Sequence, residues 1–160
     1  MDQLLNSEGF ESYQNKGSKS GVEIILVNEK VGLGVKTNRA HERGTIVEHF
    51  SGVVGPYTLQ HTLQLNPFQH ILDLKFVGYL SHSCDPNCVL DMHRLCVLAA
   101  KDIGEGDILT IDYAVTEDQL FKQFACTCGA ANCRRWVTGR RETVNEKGKR
   151  FLGRQRVHAA

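Results

Sequence analysis

Three closely spaced cysteines near the end of the chain are the residues with the clearest chemistry. Cys126, Cys128 and Cys133 follow the spacing C-x-C-x4-C, with Gly129 between them. A structural zinc ion takes four tetrahedral ligands, among which sulfur is favoured, and a loop this tight can supply three. The fourth ligand must then come from elsewhere in the chain, and the candidates are the histidines and Cys84, Cys88 and Cys96.

A second string of chemical residues runs from Ser81 to Cys88 and reads S-H-S-C-D-P-N-C. Its small polar residues favour turns that expose backbone groups. A cleft lined by such groups can bind a purine or an amino-acid moiety through main-chain hydrogen bonds. His82 beside Cys84 also fits a cysteine–histidine nucleophile pair, but the sequence shows no third group to orient the histidine.

Short strands separated by turns must position these residues. β-Branched and apolar residues predict strands at residues 21–27, 46–50, 69–74, 95–100 and 108–113, with a turn at 32–35 that opens a further strand. The prolines and polar residues of 56–70 predict an irregular insertion, and residues 114–125 predict a helical turn. Many short strands at this spacing predict a mainly β domain.

Composition and charge limit the class of protein. The 160 residues are 41% hydrophobic and 23% charged, which is ordinary for one soluble domain. The net charge of +1 excludes a uniformly basic nucleic-acid binder. It divides into −4 for residues 1–139 and +5 for residues 140–160. The first 20 residues predict a flexible lead-in, and the basic tail predicts a solvated, frayed terminus.

The cysteines fit a reducing compartment better than a secreted one. No apolar run approaches the roughly 18–20 residues that cross a bilayer, and the acidic, polar N-terminus does not resemble a signal peptide. We therefore expect a cytoplasmic protein, or a nuclear one if it is eukaryotic, without a membrane partner. Thiols stay reduced there, which favours ligands and buried thiols over a secreted disulfide scaffold.

Four blocks of sequence, in order across residues 21–139, resemble the SET-domain protein-lysine methyltransferases. Residues 31–35 resemble the G-x-G turn of that family, and residues 81–88 its N-H-S-C-x-P-N-C motif. Residues 102–113 resemble its D-I-x-x-G-E-E-L-T-x-D-Y motif, and residues 126–136 its post-SET zinc loop. The small layout resembles stand-alone SET proteins of bacterial and fungal type.

The resemblance implies a fold and a division of the chain. The fold would be mainly β, a SET domain of small curved sheets with a pseudoknot, followed by a zinc-bound post-SET loop. The implied segments are a flexible segment at 1–20, a SET domain at 21–118 with a short insert at about 55–76, a post-SET loop at 119–139 and a basic tail at 140–160.

The resemblance also implies a metal site and a cofactor site. Cys84 matches the fourth ligand of the family, so a structural Zn²⁺ would be held by Cys84, Cys126, Cys128 and Cys133. S-adenosylmethionine would be bound by Gly32, Leu33, Gly34, Ser81, His82, Tyr113 and Trp136. Cys88 and Cys96 would be packed thiols.

Tyr113 matches the catalytic tyrosine of the family, and Phe50, Tyr79 and Tyr113 would line the substrate channel. A lysine amine attacks a methyl group only when it is neutral, and a narrow apolar channel next to a sulfonium lowers its pKa from about 10.4. Four residues depart from the family. Ser81 replaces the usual asparagine, and Phe50 lacks the hydroxyl that the channel often has. Gly78 stands where an arginine is common, and Arg135 stands where the zinc loop usually ends in glycine.

The resemblance implies an enzyme that transfers methyl from S-adenosylmethionine to a lysine of a protein or peptide. Two alternatives stay open: a methyltransferase acting on a small-molecule amine or peptide natural product, because the insert is short, and a non-catalytic SET-like binding module, because Ser81 and Phe50 alter the site. A homodimer is one assembly that could complete the open site. Nucleic acid is expected as a partner only through the basic tail.

Overall fold

The protein is described by a computed structural model that covers residues 20–73 and 75–158. The predicted lead-in lies outside the described residues. Those residues form short strands, which confirms the prediction of a mainly β fold. The strands are β1 (Val22–Asn28), β2 (Gly32–Thr37), β3 (Ile46–His49), β4 (Val53–Gly55), β5 (Thr62–Asn66), β6 (Gln69–Leu72), β7 (Ser81–His82), β8 (Cys88–Asp91), β9 (Cys96–Ala99), β10 (Ile108–Ile111), β11 (Phe124–Ala125) and β12 (Trp136–Val137).

Helical segments are few among the described residues. A 3-10 turn at Val77–Tyr79 precedes β7, and the short helix α1 (Tyr113–Thr116) follows β10 directly. The side chain of Asp112 accepts a hydrogen bond from the backbone N–H of Ala114 and so caps α1. A longer helix, α2 (Glu146–His158), ends the described chain.

The strands form small separate sheets, as the SET resemblance implies. One sheet has the order β1-β2-β10-β7, a second β3-β9-β8 and a third β4-β6-β5, while β11 pairs with β12. β10 is antiparallel to β2 and parallel to β7. This non-sequential order, with a late strand between two early ones, is the arrangement expected of the pseudoknot.

Asn87 fixes the loop of the 81–88 motif against β10. Its side-chain amide donates to the carbonyl oxygen of Ile108 at 2.9 Å, and its side-chain oxygen accepts from the backbone N–H of Thr110 at 2.8 Å. An asparagine side chain offers both a donor and an acceptor, so it can imitate a peptide group at the edge of a strand. The motif loop is therefore held where the parallel pair β7–β10 ends.

Tyr113 lies at the junction of two hydrophobic clusters. The larger cluster is built on fully buried residues of the central strands, such as Val35, Leu109 and Ile111. The smaller one contains Leu120, Val137 and two of the cysteines of the predicted zinc site. Tyr113 packs against both clusters, so the backbone that carries it is fixed from two sides.

The prediction of an irregular insertion at residues 56–70 is wrong for its second half. β5 and β6 form an antiparallel hairpin, and β4 pairs with the other edge of β6. Leu63 and Ile71 are cross-strand partners and both are buried. Strands this short bury few apolar residues each, so their alternation is masked by the polar residues and prolines around them.

The prediction of a frayed basic tail is wrong for residues 146–158, which form α2. The side chain of Asn145 accepts from the backbone N–H of Gly148 at 2.9 Å and caps the helix. Phe151 packs on Trp136 with ring centroids 5.6 Å apart. A side chain at Gly148 would clash with the same indole. No helix in the described part of the chain is long and apolar enough to cross a membrane.

We expect Phe151→Ala to loosen the packing of α2. Because Trp136 is the single tryptophan of the chain, its fluorescence should report this change. Phe151 is half-buried, so the free energy of unfolding should fall by about 2 kcal/mol, less than the 3–5 kcal/mol typical when a fully buried phenylalanine is replaced by alanine. Tryptophan emission should move to longer wavelength as water reaches the indole. The exposed Lys147→Ala is the control, and an unchanged spectrum of Phe151→Ala would contradict the packing.

Candidate functional site

The four cysteines assigned by the resemblance lie together. The Sγ atoms of Cys84, Cys126, Cys128 and Cys133 are all within 4.8 Å of one another, and those of Cys84 and Cys126 are 3.9 Å apart. Four thiolates at about 2.3 Å from a zinc ion would be about 3.8 Å apart. The cluster therefore fits a tetrahedral zinc ion. Cys88 and Cys96 are fully buried in the main body, as predicted for packed thiols.

The cysteine loop is held by backbone contacts that suit a metal centre. The backbone N–H of Arg134 points at the Sγ of Cys84, 3.4 Å away, and Asn132 donates to the carbonyl oxygen of Cys84 at 3.0 Å. Hydrogen bonds of this kind orient metal ligands. Arg135 adopts a left-handed φ of 64°, which explains why the zinc loop of the family commonly has glycine at this position.

His82 connects the cysteine cluster with Tyr113. Its Nδ1 accepts from the backbone N–H of Tyr113 at 3.2 Å, and its Nε2 lies 3.4 Å from the Sγ of Cys84. Nδ1 as acceptor places the proton on Nε2, directed at the sulfur. Burial lowers the pKa of His82 to about 4, partly opposed by the charge of Asp112. The imidazole is therefore neutral, and its 3.7 Å approach to Asp112 is not an ion pair.

Asp112 and Arg134 join the tyrosine motif to the zinc loop, a pair that the sequence alone did not indicate. Nη1 of Arg134 donates to Oδ1 of Asp112 at 3.0 Å, and Nη2 donates to Oδ2 at 2.6 Å. Asp112 is buried, whereas the arginine is 40% exposed. A two-pronged pair fixes both distance and angle. The one sequence feature that could have indicated this pair is the position of Arg134 directly after Cys133, a predicted zinc ligand.

We expect Arg134→Ala to separate the zinc loop from the tyrosine motif. The change leaves a buried carboxylate without its cation, which should lower stability by about 1–3 kcal/mol. Arg135→Ala removes an equal charge from the neighbouring position and should cost much less. Thermal melts of the two variants make the comparison, and equal losses would contradict the role of the pair.

The hydroxyl of the partly buried Tyr113 points at the backbone of the residue directly before the 81–88 motif. It donates to the carbonyl oxygen of Leu80 at 2.5 Å. Burial, together with the nearby charge of Glu117, raises the pKa of Tyr113 to about 12. The hydroxyl is therefore protonated near neutral pH, so it can donate and accept hydrogen bonds but does not act as a base.

The rings around Tyr113 form an aromatic group. The centroid of its ring lies 5.3 Å from that of His82 and 6.0 Å from that of Phe124. Phe50 is buried in the main cluster, and Tyr79 packs against the same cluster, so the three predicted channel residues share one apolar region. The sequence analysis did not assign Phe124 to the site.

Gly34 and Ser81 form a cradle beside β7. A Cβ built on Gly34 would lie 2.5 Å from the Cγ2 of Val27 and 2.9 Å from the Oγ of Ser81, so only glycine fits between them. The Ser81 hydroxyl is buried and has no hydrogen-bond partner among the described residues. Gly32 has a φ of +79° and open space around it, and Leu33 lies half-buried between the two glycines. A buried hydroxyl without a partner fits a bound polar ligand at this cradle.

Trp136 is buried too deeply to offer a free face on which a ligand could stack. It is 4% exposed, and its indole N–H donates to the side-chain oxygen of Gln123 at 3.1 Å. One part of the ring is covered by Phe151 of α2. Its assignment to the cofactor site stays a prediction, and any ligand contact must share the indole with this helix.

Comparison with known proteins gives one family for this arrangement. The family model described as SET domain matches residues 32–114, just over half of the chain. The chain is 26% identical over 122 residues to human histone-lysine N-methyltransferase 2D, covering 70% of this chain and 2% of that protein. It is 30% identical over 91 residues to the methyltransferase flvH of Aspergillus flavus, covering 56% of this chain and 51% of flvH.

Solved structures agree with the sequence relatives. A crystal structure of KRYPTONITE in complex with mCHG DNA and S-adenosylhomocysteine matches with a TM-score of 0.59 and 29% identity, over 76% of this chain and 30% of that one. A second KRYPTONITE crystal, with mCHH DNA, an H3(1–15) peptide and the same cofactor product, matches with a TM-score of 0.57 and 28% identity, over 72% of this chain and 29% of that one. This chain thus spans about half of flvH and less than a third of each of the other relatives. It belongs to the SET-domain family of methyltransferases.

Proposed function

We propose that this protein transfers a methyl group from S-adenosylmethionine to the side-chain amine of a lysine in a protein or peptide. The observation that carries the proposal is the position of Tyr113. Its hydroxyl meets the backbone at Leu80, directly before the 81–88 motif and next in sequence to Ser81 of the cradle. Histone-lysine methyltransferases among the relatives support the substrate class.

The residues of the site suit displacement by a neutral amine. When bound, S-adenosylmethionine supplies an electrophilic methyl group on a sulfonium. The apolar region of Phe50, Tyr79 and Tyr113 disfavours an ammonium ion and so promotes loss of the lysine proton. The Leu80 carbonyl and the Tyr113 hydroxyl form a fixed polar pair that can orient the amine.

We assign the ligands of each group from the chain itself. The cradle of Gly32, Gly34 and Ser81, together with the backbone of His82, would hold the cofactor. The four clustered thiols would hold zinc in a structural role, since all four positions of a tetrahedron are filled by protein. Through His82 and Arg134, this metal would keep the tyrosine motif in place.

A second candidate is methylation of a small-molecule amine. The insert contributes only the short strands β5 and β6 beside the site, and flvH, a relative named only as a methyltransferase, shares 30% identity. A short insert leaves an open site that discriminates weakly between a peptide and a small amine.

The test is methyl transfer from labelled S-adenosylmethionine to two acceptors, an H3(1–15) peptide and free lysine. We expect label on the peptide, located on lysine by mass spectrometry. The same peptide with every lysine replaced by arginine is the control and should stay unlabelled. Label on free lysine alone would favour the small-molecule alternative. No label on either acceptor would contradict both candidate functions.

A further inference from the structure

Glu117 is a buried carboxylate that the chemistry above does not use. It follows α1, four residues after Tyr113, and its backbone N–H donates to the carbonyl oxygen of Tyr113 at 3.1 Å. The side chain is directed at β5 in the insert. Both of its oxygens accept from the backbone N–H of Gln64, at 3.1 and 3.0 Å.

A second set of hydrogen bonds joins β5 to the segment after α1. The side chain of Gln64 donates to the carboxylate of Asp118 at 2.8 Å and accepts from the backbone N–H of Asp118 at 2.6 Å. Gln64 and Glu117 are both buried, which strengthens these bonds. β5 is an edge strand, so its N–H at Gln64 would otherwise need another partner. We call this set of contacts between Gln64 and residues 117–118 the latch.

Gln64 of the latch lines one side of a groove that also borders Asp112, the residue before Tyr113. This groove has a volume of about 400 Å³ and is bounded on one side by β5 and its turn, and on the other by Asp112, Val115 and Thr116 of the α1 segment. Its remaining boundary comes from Ile111, Arg140 and the segment 86–92. The separation of the first two walls is therefore set by how firmly Gln64 is held against Glu117.

The charges around Glu117 are few. Asp118 repels its negative charge and Arg140 attracts it, although Arg140 is itself paired with Asp118 at 2.9 Å. Tyr113 is neutral near pH 7, and β5 presents the uncharged Gln64. On β6 the cross-strand partner of Gln64 is His70, whose pKa is lowered by burial and raised in part by the charge of Asp118. Burial dominates and raises the pKa of Glu117 from its usual 4.5 to about 7, opposed by the Gln64 hydrogen bond. The folded protein therefore binds this proton more tightly than the unfolded one, and stability falls as pH rises from about 4.5 to 7.

We propose that Glu117 is a positioning residue whose carboxylate holds the β5 wall of the groove against the α1 wall, so that its ionisation sets how firmly the groove receives the peptide around a target lysine. This inference rests on the proposed lysine methylation for its substrate class. An ionised carboxylate accepts a stronger hydrogen bond than a protonated one, and the latch is therefore tighter above neutral pH. A buried charge that lowers stability is typical of a functional site.

The latch can be tested without turnover. We expect the backbone amide signal of Gln64, followed by nuclear magnetic resonance in the ¹⁵N-labelled chain from about pH 5.5 to 8.5, to move through one transition near pH 7. Glu117→Gln should abolish the transition, and Glu105→Gln, a change at an exposed glutamate, should retain it. A wild-type Gln64 signal without a transition, or the same transition in Glu117→Gln, would overturn the proposal whether or not the protein is an enzyme.

The kinetic arm separates positioning from a purely structural role. With the H3(1–15) peptide, the ratio of KM in Glu117→Gln to KM in the wild type should rise from near one at pH 6 to about fivefold at pH 8, while kcat changes less than twofold. Because the ratio compares two enzymes on one peptide, titration of the substrate cancels. Melts at pH 8, where the variant should be the more stable, show that it is folded. A pH-independent ratio, or a loss confined to kcat, would overturn the positioning role.

Discussion

Replacing Cys126 with serine should empty the metal centre and unfold the region that it organises. Zinc content should fall from one ion per chain in the wild type to well below one, and the melting temperature should fall by more than 10 °C. Four thiolates within 4.8 Å of one another repel one another unless a cation or protons neutralise them, so the fold around the cluster depends on the zinc ion. Structural zinc contributes roughly 10–16 kcal/mol in small zinc-binding peptides, comparable with the whole stability of a domain.

The matched control for this variant is Cys96→Ala. Cys96 is equally buried but lies in β9, away from the cluster. Its loss creates a small cavity that should cost about 1 kcal/mol while zinc content stays at one ion per chain. The zinc content of the wild type and of both variants is measured by mass spectrometry. A wild-type protein with well under one zinc, or a Cys126→Ser variant that retains its zinc, would refute the four-thiolate site.

Tyr113→Phe should lower kcat by about 10²–10³-fold and leave the affinity for S-adenosylhomocysteine within twofold. The substitution keeps the ring that packs against both clusters and removes only the hydroxyl bonded to the Leu80 carbonyl. Removing one positioned polar group from a water-excluded site commonly has this effect on rate. The fold should persist, because His82 and Phe124 pack on the ring rather than on the hydroxyl.

Tyr79→Phe is the matched control, since Tyr79 packs against the same apolar region but is the last residue of the 3-10 turn. Its kcat should fall by less than tenfold. Rates are best measured as single turnovers, with cofactor affinity measured separately by calorimetry. A Tyr113→Phe variant with wild-type turnover would remove Tyr113 from the catalytic role, and a parallel loss of cofactor affinity would place it in the cofactor site alone.

Short-range patterns in the sequence predicted most of the fold. β-Branched runs at residues 21–27 and 108–113 became β1 and β10, with the second strand ending early at Ile111, before Asp112, which caps α1. The cap on α2 is also local, since Asn145 precedes the helix and binds Gly148. It was overlooked because the many charges of residues 140–160 suggested a solvated tail, whereas Phe151 makes a large apolar contact with Trp136.

The contacts that tie the site together are long-range, and no pattern in the sequence contains them. Arg134 is 22 residues from Asp112, and Gln64 is 53 residues from Glu117. Each of these side chains looks like an ordinary polar surface residue when read in its own segment. The burial of Asp112, Gln64 and Glu117 arises only when β5, α1 and the zinc loop are brought together. The motif residues were predictable from the resemblance because their order along the chain carries the signal.

The measurement that tests the central claim most directly is calorimetric titration of the zinc-loaded chain with S-adenosylhomocysteine. The proposed methyl transfer requires the cradle of Gly34 and Ser81 to bind this class of molecule beside Tyr113. We expect one binding site per chain with a micromolar Kd, weakened at least tenfold by Gly34→Val, whose side chain would displace those of Val27 and Ser81. Absence of binding at micromolar concentrations, or equal binding by Gly34→Val, would contradict the assignment of the cofactor site.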